Sequence, residues 1–139
     1  MSARDASSRR RPAIAVTCLA AGVAMAQQPD YPELGGEVLR RGRMVWLNTC
    51  ATCHTDDFTG APLVTDKTAW TPRLGKGTDA LYVSALNGMF GPMGTEMPPR
   101  GDNPKLSDEE VRAAVDYMIA LVEYLTTQPK IKGDQDDAG

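Results

Sequence analysis

From Gly36 onward, apolar and small residues recur with helical spacing. Val38, Gly42, Val45, Trp46 and Thr49 share one face, and Arg40, Arg41 and Arg43 lie mostly off it. This spacing predicts a helix that runs directly into Asn48-Thr49-Cys50-Ala51-Thr52-Cys53-His54. Thr55 to Leu63, with Asp56, Asp57, Gly60 and Pro62, reads as a loop. Asp66 to Leu74 is expected to start one helical turn that Pro72 cuts short. Thr78 to Asn87 predicts a short helix capped by Thr78 and ended by Gly88, with Leu81, Tyr82, Ala85 and Leu86 buried. Met89 to Asn103 is rich in Gly, Pro and Met, has no period, and is expected to hold no regular element.

The last element is the best defined. Ser107-x-x-Glu110 is a capping box, and Leu106 and Val111 stand at the positions of a hydrophobic staple. Val111, Ala114, Val115, Met118, Val122 and Leu125 continue as a helical stripe that should stop before Pro129. Strand signals are nearly absent, so the predicted class is all-α, with three main helices and long loops.

The 139 residues suit one domain, which does not start at residue 1. Arg9-Arg10-Arg11 precedes an uncharged run, Pro12 to Ala26, that ends in Ala24-Met25-Ala26. Basic, apolar, then small is the order of a signal peptide, expected over residues 1–26. An uncleaved anchor is the alternative, but a span needs about 20 apolar residues. Twin-arginine export is not expected, because the apolar residues that should follow the arginine pair are missing. Cys18 follows Thr17 where lipid attachment wants a small residue, and is read as lost with the leader. The domain is expected over 27–127 and a disordered charged tail over 128–139.

The formal net charge is −3, and losing Arg4, Arg9, Arg10, Arg11 and Asp5 with the leader makes the mature chain more acidic. An acidic exported domain argues against nucleic acid as a partner. No later segment reads as a membrane span. The expectation is therefore a periplasmic monomer.

Cys50, Cys53 and His54 bring together the chain's only histidine and two of its 3 cysteines. Three chemistries use such a cluster. A structural zinc site wants four ligands, and no second histidine or further cysteine follows, leaving only Asp56 or Asp57 to complete it. A dithiol redox centre normally sits where a strand enters a helix, whereas this motif follows a helix. A plain Cys50–Cys53 disulfide would close a tiny loop and leave His54 without a role.

Covalent haem uses every residue: in C-x-x-C-H the thiols add to the vinyl groups and the imidazole ligates iron. On a continued helix the three side chains lie at i, i+3 and i+4, on one face. A large apolar cofactor also answers a second difficulty, since short helices around long loops make a poor core for so small a domain.

A sixth ligand cannot be histidine, which leaves methionine. Met44 and Met118 read as core residues. Met97 precedes Pro98-Pro99, which stiffen the segment, and is the preferred axial ligand. Met93 is the runner-up, and Met89 reads as loop packing.

Taken together, the chain resembles the class I c-type cytochromes, and among them the short bacterial cytochromes of the c-five type. The residues that carry the resemblance are Gly42 and Trp46 before "CATCH", Gly60-Ala61-Pro62, "DKTAWTPRL", "LYVSALNG", "MPPRGDNP" and "LSDEEVRAAVDYM". It implies a small cytochrome c fold around one covalently bound haem c, with His54 and Met97 on the iron. It further implies that Gly42 and Trp46 pack on Tyr117, and that the Pro62 carbonyl accepts the His54 Nδ1 proton. Trp70 and Arg73 are implied haem-propionate contacts, with a packed Trp and a solvated Arg as equally good readings. The stretch "NGMFGPMGTEMPPRG" is longer than in the short members, so the surface there should differ from theirs.

The expected function is an electron carrier rather than an enzyme, meeting redox protein partners transiently. Two alternatives stand beside it: a fixed haem subunit of a dehydrogenase or oxidase complex, and a haem sensor with a labile methionine.

Overall fold

Residues 31–128 are described by the computed structural model. The expected leader and the tail beyond Gln128 lie outside the described residues, as does the side chain of Met93. The first helix, α1 (Glu37–Val45), passes through a single π turn, Trp46–Cys50, into α2 (Ala51–His54) without leaving helical dihedrals. Within that turn the Ala51 N–H donates to Trp46 O, five residues back instead of four. The extra residue rotates everything beyond it about the helix axis.

The buried face of α1 also differs from the expected one. Gly42 and Trp46 are buried and Leu39 packs on the core, whereas Val38 is 50% and Met44 55% exposed. Met44 is not a core residue. Met118, the other methionine expected inside, is buried.

The second departure is α3 (Lys67–Leu74), which runs straight through Pro72. A proline inside a helix costs about 3 kcal/mol. Two features offset it. Asp66 Oδ1 caps the Ala69 N–H at 3.0 Å, and Trp70 is only 3% exposed with its indole N–H on Leu63 O at 2.8 Å. Burying a Trp removes about 200 Å² from water, worth at most roughly 5 kcal/mol, so tertiary burial wins over the local penalty.

Next comes α4 (Thr78–Asn87), whose N-cap is Gly77 and not Thr78. Gly88, at φ +74°, ends it. The segment expected to be irregular holds a small hairpin: β1 (Met89–Phe90) pairs antiparallel with β2 (Glu96–Met97), Met89 opposite Met97 and Phe90 opposite Glu96. Short 3-10 turns at Pro92–Gly94 and Pro99–Asp102 lie at its tip and after it.

The last helix, α5 (Asp108–Thr127), begins with the expected capping box. Ser107 Oγ accepts the Glu110 N–H at 3.2 Å, and Glu110 Oε2 accepts the Ser107 N–H at 2.8 Å. Bonding to Ser107 holds the Glu110 carboxyl below its ordinary pKa. A lowered carboxylate pKa stabilises the fold above the unfolded value and loses that contribution as pH falls through the folded value. Ser107→Ala is expected to cost about 1 kcal/mol in denaturant unfolding at pH 7. The gap between variant and wild type should shrink below about pH 4.

Packing is tightest where α1 crosses α5. A Cβ on Gly42 would lie 1.9 Å from Ala113 O and 2.5 Å from its carbonyl carbon, so only glycine permits this approach. Beside it Trp46 and Tyr117 pack with ring centroids 5.6 Å apart, and Tyr31 stands edge-on to Trp46. Tyr117 Oη–H donates to Pro32 O. Trp46 Nε1 is the one side-chain polar atom among the described residues that is fully buried and unpaired.

The buried side chains fall into two clusters, one on each side of α5. The first joins Trp46, Val64, Trp70, Tyr117 and Leu121, with Cys50 at its edge. The second joins Ala85, Val111 and Val115, with Leu81, Tyr82 and Met97 at its edge.

Candidate functional site

The helix and the loop after it form the site together. His54 closes α2 and is 5% exposed. The following loop folds back over it by three bonds. Thr59 Oγ1–H donates to Cys53 O at 2.9 Å, the Val64 N–H donates to His54 O at 3.0 Å, and His54 Nδ1 lies 2.9 Å from Pro62 O. A carbonyl can only accept, so the proton is on Nδ1 and the Nε2 lone pair is free. Burial lowers the His54 pKa, outweighing the Pro62 hydrogen bond that raises it, with the Arg73 charge lowering it further. Neutral imidazole with a fixed tautomer is the form that binds a metal.

Cys50 and Cys53 are free thiols, both half-buried. Burial, aided by Cys53, pushes the Cys50 thiol up to about 11. Redox-active C-x-x-C pairs work through a lowered thiol pKa, so the shift is opposite to what dithiol exchange needs. Among the described residues, no group of three or more His, Cys, Asp or Glu side chains converges to hold a metal ion. A zinc site would need such convergence. Two free thiols and one oriented imidazole on successive helical turns remain.

The hairpin carries Met97, the expected second ligand. Met97 is half-buried against the Ala85–Val111–Val115 cluster, while Met89 across the ladder is 41% exposed. The chain beyond Met97 is pinned tightly. Arg100 and Asp102 hold left-handed dihedrals, φ 56° and 65°, which non-glycine residues adopt only under constraint. Arg100 Nη1–H donates to Leu106 O at 2.9 Å, and Nη2 pairs with Asp108 at the start of α5. Gly101 abuts the π turn at Trp46–Cys50, where an added Cβ would lie 2.7 Å from Thr49 Cγ2. Sequence reading missed this anchorage. Its one local trace is Gly101 between two polar residues just after the proline pair.

Trp70 packs behind the imidazole, ring centroids 6.1 Å apart, and its only N–H is committed to Leu63 O. Arg73 is half-buried, with Nη1–H donating to Ala69 O and its charge felt at His54.

Comparison with known proteins adds to this geometry. Residues 37–118 match the family described as cytochrome C oxidase, cbb3-type, subunit III. Cytochrome c-555 of Chlorobaculum thiosulfatiphilum is 41% identical over 78 residues, covering 56% of this chain and 90% of that protein. Cytochrome c5 of Azotobacter vinelandii is 34% identical over 84 residues, 59% of this chain and 95% of the relative. A chain in the crystal structure of an electron transfer complex of nitrite reductase with cytochrome c superposes with a TM-score of 0.51 at 36% identity. It covers 59% of this chain and 94% of its own length.

Proposed function

Since the chain belongs to the monohaem class I c-type cytochromes, we propose that it is an exported carrier of single electrons with one haem held through Cys50 and Cys53. The observation that carries this reading is the oriented His54, with Nε2 free beside two free thiols and, among the described residues, no convergent group of three His, Cys, Asp or Glu side chains. The haem, when bound, supplies one-electron exchange between ferrous and ferric iron.

What the chain contributes follows from its own residues. Cys50 and Cys53 tether the group to one helical face. His54 Nε2 is the proposed ligand on that side, and the Pro62 carbonyl keeps the imidazole in the right tautomer and raises its basicity. Met97 is the second proposed ligand, on a segment fixed by the hairpin and by Arg100. The two core clusters, one edged by Cys50 and the other by Met97, offer the apolar faces that a flat macrocycle would join. Arg73 keeps uncommitted N–H donors for a propionate, while Trp70 serves as the packed wall behind His54.

With His54 and Met97 both on the iron, no position would be left for a substrate, and for that reason the reading is a carrier and not an enzyme. The neighbour seen in an electron transfer complex supports redox proteins as transient partners. No helix among the described residues is long and apolar enough to cross a membrane. Export rests on the expected leader at residues 1–26.

The test is carbon monoxide added to the dithionite-reduced protein at pH 7. The carrier is expected to leave the ferrous spectrum unchanged. A shift of the main absorption band on a seconds timescale would mean a labile Met97, and would favour the sensor reading.

A further inference from the structure

The chain has 2 phenylalanines, Phe58 and Phe90. Neither is in the core: Phe58 is 92% exposed and Phe90 76%. Two exposed phenylalanines on built structure present apolar surface that an occupant would cover.

Both are held on fixed segments. Asp56 Oδ1 accepts the Phe58 N–H at 3.0 Å, Gly60 closes that turn at φ +70°, and Thr59 ties it to Cys53 O. Phe90 lies on the hairpin, closed by the Gly91 N–H on Thr95 O at 2.7 Å. These two segments adjoin, since a Cβ on Gly60 would lie 2.8 Å from Thr95 Cγ2. Alternation along the ladder puts Met97 on one face and Phe90, paired with Glu96, on the other. The hairpin thus turns a methionine toward the core and an aromatic ring toward solvent.

The two segments that carry the rings have charge of one sign. Asp56, Asp57 and Glu96 are exposed here, and neither residues 51–66 nor residues 77–99 include a Lys or Arg. A second copy would bring the same acidic rim against this one, so like charges oppose self-association. We propose that Phe58 and Phe90, rimmed by Asp56, Asp57 and Glu96, form the docking surface for a redox protein whose own face is apolar at its centre and ringed by Lys and Arg. The inference rests on the carrier reading and deepens it. The Phe58 turn hangs from the Cys53 carbonyl, so a partner seated on it stands beside the attachment segment. An apolar centre with a weak charged rim also suits a contact that must release quickly.

The probe is a gold electrode bearing a mixed methyl- and ammonium-terminated monolayer, used for film voltammetry of the holoprotein. Wild type is expected to adsorb and exchange electrons there, and poorly on a methyl- and carboxylate-terminated monolayer. The double variant Phe58→Ser/Phe90→Ser should lose about tenfold in electroactive coverage at equal ionic strength. The control Val83→Ser/Tyr124→Ser, which removes exposed apolar groups from α4 and α5, should not. Unchanged coverage in the Phe58/Phe90 variant, an equal loss in the control, or a preference for carboxylate overturns the proposal. So does a wild-type dimer in sedimentation that the variant abolishes, which would give the surface to a second copy. Absence of bound haem in the visible spectrum, read before any voltammetry, overturns the carrier reading and the redox partner together.

Discussion

Gly42→Ala is expected to destabilise the protein by about 3 kcal/mol or more. On an ordinary helical site the same change stabilises by about 1 kcal/mol, because alanine loses less backbone entropy than glycine. The sign reverses here because the added methyl would lie 1.9 Å from Ala113 O and 3.2 Å from Ala114 N. Both are backbone atoms of α5, so no rotamer can relieve the overlap and the helices must part. Parting them loosens Trp46 from Tyr117, both 0% exposed, and with them the cluster that edges Cys50. Gly75→Ala is the control: its dihedrals are helical and its nearest neighbours stand at 3.5 Å. It should change stability by less than about 0.5 kcal/mol. Denaturant unfolding of the two holoproteins measures both, and equal midpoints would refute the close-approach argument.

Met97→Leu carries the largest expected functional effect. Leucine keeps nearly the same volume against Ala85, Val111 and Val115, so the packing cost stays below about 1.5 kcal/mol. The sulfur alone is lost. If Met97 ligates the iron, the reduction potential should fall by a few tenths of a volt, on the order of what axial-ligand changes produce. The ferrous variant should then bind carbon monoxide readily. Met93→Leu and Met89→Leu should do neither. A normal potential in Met97→Leu together with a low one in Met93→Leu would move the ligand to the hairpin tip.

How much of this was legible in the sequence depended on the range of the interactions. The capping box at Ser107 and Glu110 was, because all its partners lie within one turn. The gathering of Cys50, Cys53 and His54 at a helix end was, because it follows from their spacing alone. Pro72 misled because its cost is local, whereas the burial of Trp70 that offsets it comes from residues elsewhere in the chain. Val38 was misplaced because the true core stripe of α1 starts at Leu39, a phase set by packing on α5, and Met44 because residue type alone does not say which face a side chain takes.

The hairpin left no periodic trace, since its strands are two residues each and depend on glycines meeting distant atoms. A Cβ on Gly88 would lie 2.8 Å from Met97 O, and one on Gly91 2.3 Å from Thr95 Oγ1. Exposure of Phe58 and Phe90 is a tertiary property that no local pattern announces.

The most direct test of the account is the visible spectrum of protein matured in cells that carry the haem-attachment machinery, taken oxidised, reduced and after full denaturation. The account predicts that haem stays with the denatured chain at one per polypeptide, and that the native oxidised form shows the weak long-wavelength band of a thioether on ferric iron. A colourless protein, or haem that separates from the chain on denaturation, contradicts it.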